Sequence, residues 1–192
     1  MRPPVLKEVF PLQTVELSIL DWLQIHLRCG VLDAVMPAVS RICDHGEVWI
    51  LLALILLLTK KHRKAGASVA CALVLDLIFC NLLLKPLVGR LRPFAVNTAV
   101  ALLVPPPLDA SFPSGHTASS FAAAAALWAA GYRRMGAAAL VLACAIAFSR
   151  LYLYVHWPSD VLAGAILGAV LGWAGAALVK AVSKRRSGEE QP

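Results

Sequence analysis

Long apolar runs, separated by charged or proline-containing segments, constrain the fold of this chain more than any other feature. They recur at about 15–38, 47–59, 66–84, 116–130, 136–154 and 160–182. Most of them approach the roughly 20 residues that an α-helix needs to cross a bilayer. With 59% hydrophobic and 15% charged residues, the 192-residue chain is far more apolar than a typical soluble domain. The sequence therefore predicts an all-α, polytopic membrane bundle of about six transmembrane helices.

Two interpretations of the first apolar run stay open, because charged side chains interrupt it at Asp21, Arg28 and Asp33. The run either crosses the membrane, or residues 1–30 contain an amphipathic helix that lies along the interface. The first twelve residues have no apolar core followed by a small-residue cleavage site, so we expect no removable signal peptide. We predict one membrane domain over 1–192, with a cytoplasmic tail at 183–192.

The net charge of +7 indicates membrane topology and not a nucleic-acid partner. Basic clusters follow the second, fourth and sixth runs, at 60–64, 133–134 and 180–186. The positive-inside rule places these three ends, and both termini, in the cytoplasm of a multi-pass cell-membrane protein. Apart from Arg2 and Lys7 near the N-terminus, six cations remain that lie in the first run or on the outward side, where the rule does not explain them: Arg28, Arg41, Lys85, Arg90, Arg92 and Arg150.

Three of these cations suit the binding of an anion. Pro86 disfavours helical geometry in the residue before it, so we expect the third helix to end near Lys85, close to Arg92. The pair either snorkels to the membrane surface or clamps a phosphate, for which arginine offers a planar fork and lysine a point charge. Arg150 lies within or near the bilayer, where it needs an anionic partner.

Two further outward segments carry histidines at helix starts. In FPSGH, Ser114 is predicted to cap the fourth helix, and Gly115 leaves room for a ligand at the first free amides, next to His116. Asp160 follows His156 by four residues, so its carboxylate can hold the imidazole in one tautomer with the other nitrogen free to attack. Ordinary helix capping is the plain structural alternative for both segments.

Together these outward segments supply fixed cations, a hydroxyl with helix amides, two imidazoles and a carboxylate. This set fits phosphoryl transfer, which needs positive groups around the phosphoryl oxygens, a nucleophile and a proton donor. The five cysteines are scattered and odd in number, and no cluster with metal-ligand spacing accompanies them. We therefore expect no disulfide framework, no metal and no other cofactor.

The segments KPLVGRLRP (85–93), PSGH (113–116) and SRLYLYVHWPSD (149–160) resemble the three signature motifs of the type 2 phosphatidic acid phosphatases, the membrane branch of a superfamily shared with vanadium haloperoxidases. The motifs stand in the expected order with the expected internal spacing. The resemblance implies a six-helix membrane fold, no metal requirement and a phosphohistidine intermediate. It also implies roles: His156 as nucleophile, Asp160 as its orienter, His116 as acid, and Lys85, Arg92, Ser114, Gly115 and Arg150 as phosphate ligands.

The resemblance leaves the lipid substrate open. Residues 32–50 resemble the N-terminal region of small bacterial members, which favours hydrolysis of undecaprenyl pyrophosphate to undecaprenyl phosphate. Phosphatidylglycerophosphate and phosphatidic acid are alternative substrates. A non-catalytic lipid-phosphate carrier or flippase is an alternative of another class, but binding alone needs no Asp-oriented histidine facing a second histidine.

Polar and glycine residues inside the apolar runs give further predictions. Asn81 lies one turn before Lys85 and is predicted to orient it, whereas Asp76 is predicted to be a protonated acid bonded between helices. Gly164, Gly168 and Gly172 repeat every four residues, which predicts close packing of the sixth helix against the alanine-rich fourth. Such packing would hold the two histidine segments at a fixed separation.

Overall fold

The computed structural model describes residues 11–189, and within that range every regular element is helical. The elements are α1 (Pro11–His26), α2 (Gly30–Arg41), α3 (Glu47–Leu58), a 3₁₀ turn (Lys60–His62), α4 (Arg63–Asp76), a π-helical stretch (Leu77–Leu84), α5 (Lys85–Val88), α6 (Pro93–Val96), α7 (Gly115–Ala129), α8 (Arg133–Tyr152) and α9 (Pro158–Glu189). The all-α prediction is confirmed. Helix α9 extends well into the predicted tail, while residues 1–10 and 190–192 lie outside the described range.

Three helical stretches are long and apolar enough to cross a bilayer, namely Lys60–Val96, Arg133–Tyr152 and Pro158–Arg185. Helix α3 is apolar but has only 12 residues, and α7 has 15. At a rise of about 1.5 Å per residue, both are shorter than a typical hydrocarbon core. Three of the six expected crossings therefore qualify by length and composition.

The first apolar run does not form one span, because the chain turns at Cys29, whose backbone is extended. The polar residues that interrupt the run fix this corner: Arg28 pairs with Asp33 at 3.4 Å, and the Tyr152 hydroxyl donates to Asp33 at 2.7 Å. One face of the resulting α1 is buried, with Leu20 in a cluster that includes Trp157. Helix α1 therefore packs directly beneath the segment that carries His156.

The prediction that the third helix ends near Lys85 was wrong, since the helical path continues through Pro86 to Val88. It stops at Gly89, whose φ of +58° favours glycine. In the π-helical stretch before the proline, the backbone N–H of Lys85 already bonds to the carbonyl of Cys80, five residues back. The hydrogen-bond ladder is thus displaced before it reaches the position where proline has no N–H to donate.

The predicted close packing of α7 and α9 is confirmed. A Cβ added to Gly168 would lie 2.2 Å from the carbonyl oxygen of Ala118, and one added to Gly172 would lie 2.4 Å from that of Ala122. Only glycine permits such an approach, because a larger residue would force the backbones apart. At the start of the interface the Ser114 N–H donates to the Asp160 carbonyl at 3.1 Å. The two helices therefore begin side by side and bring their polar residues together.

Candidate active site

A cavity of about 1000 Å³ opens among α2, α3, α4 and the loop before α7. Six predicted site residues line its polar end: Lys85, Arg92, Gly115, His116, Arg150 and His156. Its apolar part, called the apolar limb, is lined by α3, α4 and the residue that follows α4, with side chains that include Leu54, Leu57, Leu73 and Leu77. Segments far apart in the chain thus form one site, in which the cationic end continues into a hydrophobic limb.

His156 is 1% exposed and is held through both ring nitrogens. Its Nδ1 lies 3.4 Å from Asp160 Oδ2, and a guanidinium N–H of Arg92 donates to Nε2 at 3.2 Å. Since a carboxylate accepts at Nδ1 and an arginine donates at Nε2, this network assigns the proton to Nδ1. Burial, followed by the positive charges of Arg92 and Arg150, holds the pKa of His156 well below its usual value. The imidazole is therefore neutral at pH 7, with an unprotonated Nε2 at the cavity wall.

Asp160 lies behind His156, fully buried and outside the cavity lining. Its Oδ2 accepts from the Ser111 hydroxyl at 2.5 Å and from the Trp157 N–H at 3.0 Å, and its Oδ1 accepts from Arg90 at 2.6 Å. These donors hold the carboxylate in one position beside the imidazole. Trp157 is also fully buried and packs behind His156, so it does not form a wall of the cavity.

Lys85 and Arg92 are joined by Asp109, a loop residue that the sequence patterns did not identify. One carboxylate oxygen bonds to the Lys85 ammonium and the other to Arg92 at 2.7 Å. Partial burial raises the pKa of Asp109, but the two cations outweigh it and lower that pKa to about 2. Asp109 thus places a carboxylate between the cations that were predicted to hold a phosphate.

Arg150 is 4% exposed and donates to the Ser40 hydroxyl, while its Nε has no hydrogen-bond partner. Between residues 11 and 189 it forms no ion pair, so no carboxylate in that range supplies the anionic partner expected from its burial. A buried guanidinium without a counter-ion is costly, and Arg150 lines the cavity. This arrangement favours an anionic ligand as the missing partner.

His116 faces the cavity from the first turn of α7. Its Nε2 lies 3.2 Å from Oδ1 of Asp44, a half-exposed residue in the turn between α2 and α3. Asp44 stands beside His45 and Glu47, which pair with each other at 2.9 Å and are exposed. The second histidine therefore has its own carboxylate partner, contributed by a part of the chain ahead of the three motifs.

Gly115 and Ser114 occupy different places at the start of α7. A Cβ on Gly115 would lie 3.1 Å from Asn81 Oδ1 and 3.5 Å from the Lys85 Nζ, so the glycine makes room for both side chains. Ser114 stands at the N-cap position, but its side chain makes no capping hydrogen bond. It accepts instead from the Thr117 hydroxyl at 3.0 Å and is fully buried outside the cavity lining.

Asp76 differs from the expectation of a bond between helices. It is 3% exposed and lines the cavity, yet its Oδ1 has no hydrogen-bond partner. Asn81 lies next to Lys85 at Gly115, which agrees with the predicted proximity of the two. Over residues 11–189, no group of three or more histidine, cysteine, aspartate or glutamate side chains is placed to hold a metal ion.

The chain is similar to several known proteins. An undecaprenyl-diphosphatase of Sulfolobus acidocaldarius is 35% identical over 121 residues, which cover 63% of this chain and 58% of that protein. A decaprenylphosphoryl-5-phosphoribose phosphatase of Mycobacterium tuberculosis is 37% identical over 152 residues, covering 76% of this chain and 78% of that protein. The chain thus spans somewhat more than half of the first relative and most of the second.

The fold is that of a solved transmembrane phosphatase. The crystal structure of a PAP2-type phosphatidylglycerolphosphate phosphatase from Bacillus subtilis superposes with a TM-score of 0.70 and 24% identity, covering 90% of this chain and 86% of that one. The match is to a membrane fold, and three helical stretches of this chain are long and apolar enough to cross a bilayer. The family model of the PAP2 superfamily matches residues 65–184, which include all three motifs. The chain belongs to the PAP2 superfamily.

Proposed function

We propose that this protein is an integral-membrane lipid phosphatase that forms a phosphohistidine on His156, and that it converts undecaprenyl pyrophosphate to undecaprenyl phosphate. One observation carries the proposal: the Nε2 of a neutral, Asp160-bonded histidine faces the cavity beside Lys85, Arg92 and Arg150. A nucleophile held within reach of three cations suits attack on a phosphoryl group. The same reaction needs a proton donor, and His116 lines the same cavity.

In the first step the terminal phosphoryl group binds to Lys85, Arg92 and Arg150, and the carboxylate of Asp109 moves away. Arg92 transfers its hydrogen bond from Nε2 of His156 to a phosphoryl oxygen, which frees the nitrogen lone pair. Nε2 forms a bond to phosphorus as the bond from phosphorus to the leaving oxygen breaks. In the free protein, burial and the charges of Arg150 and the other nearby cations lower the pKa of His116 to about 2. His116 therefore takes up its proton only with the anionic phosphoryl group in the site. It gives this proton to the leaving oxygen, and the lipid leaves with one phosphate fewer.

The second step reverses these roles with water. His116, now neutral, removes a proton from a water molecule that attacks phosphorus, and the bond from phosphorus to Nε2 breaks. Inorganic phosphate leaves and His116 is protonated again. During both steps Asp160 accepts the Nδ1 proton as a hydrogen bond and stabilises the positive charge that the phosphorylated imidazole carries.

The apolar limb of the cavity supports a lipid as the substrate. It is lined by Leu54 and Leu57 of α3 and by Leu73 of α4, in the same cavity as the cations. Aliphatic walls of this kind favour a hydrocarbon chain, because burial of apolar surface contributes about 25 cal/mol per Å². A soluble phosphate ester would leave this limb filled with poorly bonded water.

A polyprenyl phosphoribose phosphate is a second candidate substrate. The relative that is aligned over 78% of its length is named a decaprenylphosphoryl-5-phosphoribose phosphatase. The unpartnered Asp76 carboxylate in the cavity wall would suit a substrate that offers a hydroxyl donor. Both candidates carry a polyprenyl chain and a terminal phosphoryl group, so the proposed chemistry is the same for the two.

The proposed orientation puts the site on the outer face of the cell membrane and the termini in the cytoplasm. The site is built from α5, the residue before α6, and the starts of α7 and α9. The basic clusters lie at the start of α4, at the start of α8 and near the end of α9. The positive-inside rule supports this orientation.

Phosphate release by the purified protein in detergent with EDTA tests the proposal. Undecaprenyl pyrophosphate, decaprenylphosphoryl-5-phosphoribose and phosphatidylglycerophosphate are compared, with His156→Ala as the inactive control. We expect the highest kcat/KM for undecaprenyl pyrophosphate. A preference for the phosphoribose lipid would select the second candidate. No release from any of the three, with lipid binding retained, would contradict the phosphatase and favour a carrier.

A further inference from the structure

Glu16 of α1 is a buried carboxylate that the proposed reaction does not use. It is 3% exposed, although it belongs to the first helix and lies outside residues 65–184, which match the family. Its Oε2 accepts from Arg90 at 2.5 Å, and its Oε1 accepts from the Ser159 N–H at 2.8 Å. Both partners are neighbours of Asp160.

Arg90 connects Glu16 to the catalytic pair. Its NH2 group donates to Glu16, while its NH1 group donates to Asp160 Oδ1 at 2.6 Å and to the Ser159 hydroxyl at 2.6 Å. The guanidinium lies 5.0 Å from the centre of the Trp157 ring, which limits its movement. A continuous chain of contacts therefore runs from α1 through Arg90 and Asp160 to the imidazole of His156.

Stabilisation of the fold does not by itself explain this series of contacts between α1 and His156. Burying three charged side chains costs much of the energy that their attraction returns, and apolar residues of similar size are often as stabilising. Three further donors, Ser111, Trp157 and His156, already bond to Asp160 Oδ2. A second carboxylate on Arg90 is therefore not needed to satisfy Asp160.

The charge balance gives Glu16 a purpose. Phosphorylation of His156 places a positive charge on the imidazole, and Asp160 must stabilise it. Without Glu16, Asp160 alone would balance the charge of Arg90, so its attraction for the charged imidazole would be weaker. Arg90 would also repel the imidazole. With Glu16 ionised, the group of two carboxylates and one guanidinium keeps a net charge of −1, so the field of Asp160 remains available to His156.

We propose that Glu16, acting through Arg90, is a positioning residue for the Asp160–His156 pair, and that α1 is therefore part of the catalytic apparatus. This inference rests on the proposed phosphatase. Glu16 holds the guanidinium so that Asp160 presents Oδ2 to Nδ1, and it balances the guanidinium charge. It touches neither the substrate nor the reacting atoms.

The test compares Glu16→Gln with Asp21→Asn in the full chain. Asp21 is the matched control, since it is a carboxylate on the same helix that accepts from the Tyr154 hydroxyl at 2.6 Å and does not contact Arg90 or Asp160. We expect Glu16→Gln to lower kcat about tenfold with KM changed less than about twofold. Inhibition by inorganic phosphate should not change, because the anion site is intact. Asp21→Asn should keep kcat within about twofold.

A double-mutant cycle separates positioning from general support of the fold. In an Asp160→Asn background, Glu16→Gln should lower kcat no further, because the group through which it acts is already altered. A full additional tenfold loss, or equal losses in Glu16→Gln and Asp21→Asn, would overturn the proposal. If Glu16→Gln does not fold, Arg90→Lys replaces it, since lysine has one nitrogen in place of the two that bond separately to Asp160 and Glu16. An unchanged kcat in that variant would also overturn the proposal.

The failure of the two proposals can be distinguished. An inactive wild-type protein would contradict the phosphatase, and the inference would fall with it. An active wild type whose His156→Ala variant is inactive, and whose Glu16→Gln variant has normal kcat, would contradict only the role of Glu16.

Discussion

The two histidines of the site differ in how firmly their partners hold them. His156 is buried, and both its nitrogens and its partner Asp160 are fixed by groups that are themselves buried. His116 faces the open cavity, and its partner Asp44 is half exposed. The difference suits their proposed tasks, because a nucleophile must be held in one geometry, whereas an acid must meet leaving groups and water in turn.

Replacing the buried histidine should have the largest effect. His156→Ala removes the atom that bonds to phosphorus, so we expect kcat to fall by about 10⁴-fold or more. Phosphate release measured with undecaprenyl pyrophosphate in detergent checks this expectation, with thermal unfolding as the control for the fold. Retention of a tenth of the wild-type rate would show that another group attacks.

Replacing the cavity-facing histidine should lower kcat less, and the loss should depend on the leaving group. His116→Ala removes the proton donor, and a general acid contributes about 10²–10⁴-fold. The loss should be smallest with an activated aryl phosphate, whose leaving oxygen needs no proton. An equal loss for aryl phosphate and lipid would contradict the assignment of His116 as the acid.

Replacing the carboxylate partner of His116 should lower kcat less than replacing the partner of His156. Asp44→Asn should lower kcat only about two- to fivefold, since its exposed contact with His116 is screened by water. Asp160→Asn should lower kcat by about 10²-fold or more, because a buried carboxylate that fixes the imidazole tautomer is lost. Equal effects of the two substitutions would remove the distinction between a fixed and an accessible histidine.

Asp109 should affect substrate binding and not the chemical steps. Its carboxylate occupies Lys85 and Arg92 in the free protein, so a substrate phosphate must displace it. Asp109→Asn should therefore lower KM about threefold with kcat nearly unchanged, as measured by initial rates. A raised KM would mean that Asp109 assists binding and does not compete with the substrate.

The smallest effect concerns pH. Because the folded pKa of Asp109 is lowered to about 2, its ion pairs add stability above its unfolded pKa of about 4 and lose it as the pH falls towards 2. The difference in melting temperature between wild type and Asp109→Asn should be constant from pH 7 to 5 and shrink below about pH 4. A difference that grows on acidification would contradict the sign of this shift.

The sequence predicted those site residues that lie in local motifs. Lys85, His116 and His156 each lie in a short sequence motif. Such a motif can be recognised without knowing which distant residues it will contact. The glycine spacing of α9 likewise predicted the contact with α7 that brings two of these segments together.

The supporting residues could not be predicted in this way, because their roles depend on contacts between distant parts of the chain. Glu16 and Arg90 are 74 residues apart, and Asp44 and His116 are 72 apart, with no periodic pattern to connect them. The corner at Cys29 also escaped prediction, since the apolar run continues across it. Hydrophobicity indicates burial or lipid contact and does not locate a turn that depends on Arg28, Asp33 and Tyr152.

Trapping the phosphoenzyme tests the central claim most directly. The purified protein is mixed with undecaprenyl pyrophosphate labelled in its terminal phosphate, quenched with base to preserve phosphohistidine, and digested for mass spectrometry. Our account predicts acid-labile phosphate on the peptide that contains His156, more of it in Asp160→Asn if hydrolysis slows more than attack, and none in His156→Ala. Phosphate release at the wild-type rate by His156→Ala, or label on another residue in the wild type, would contradict it.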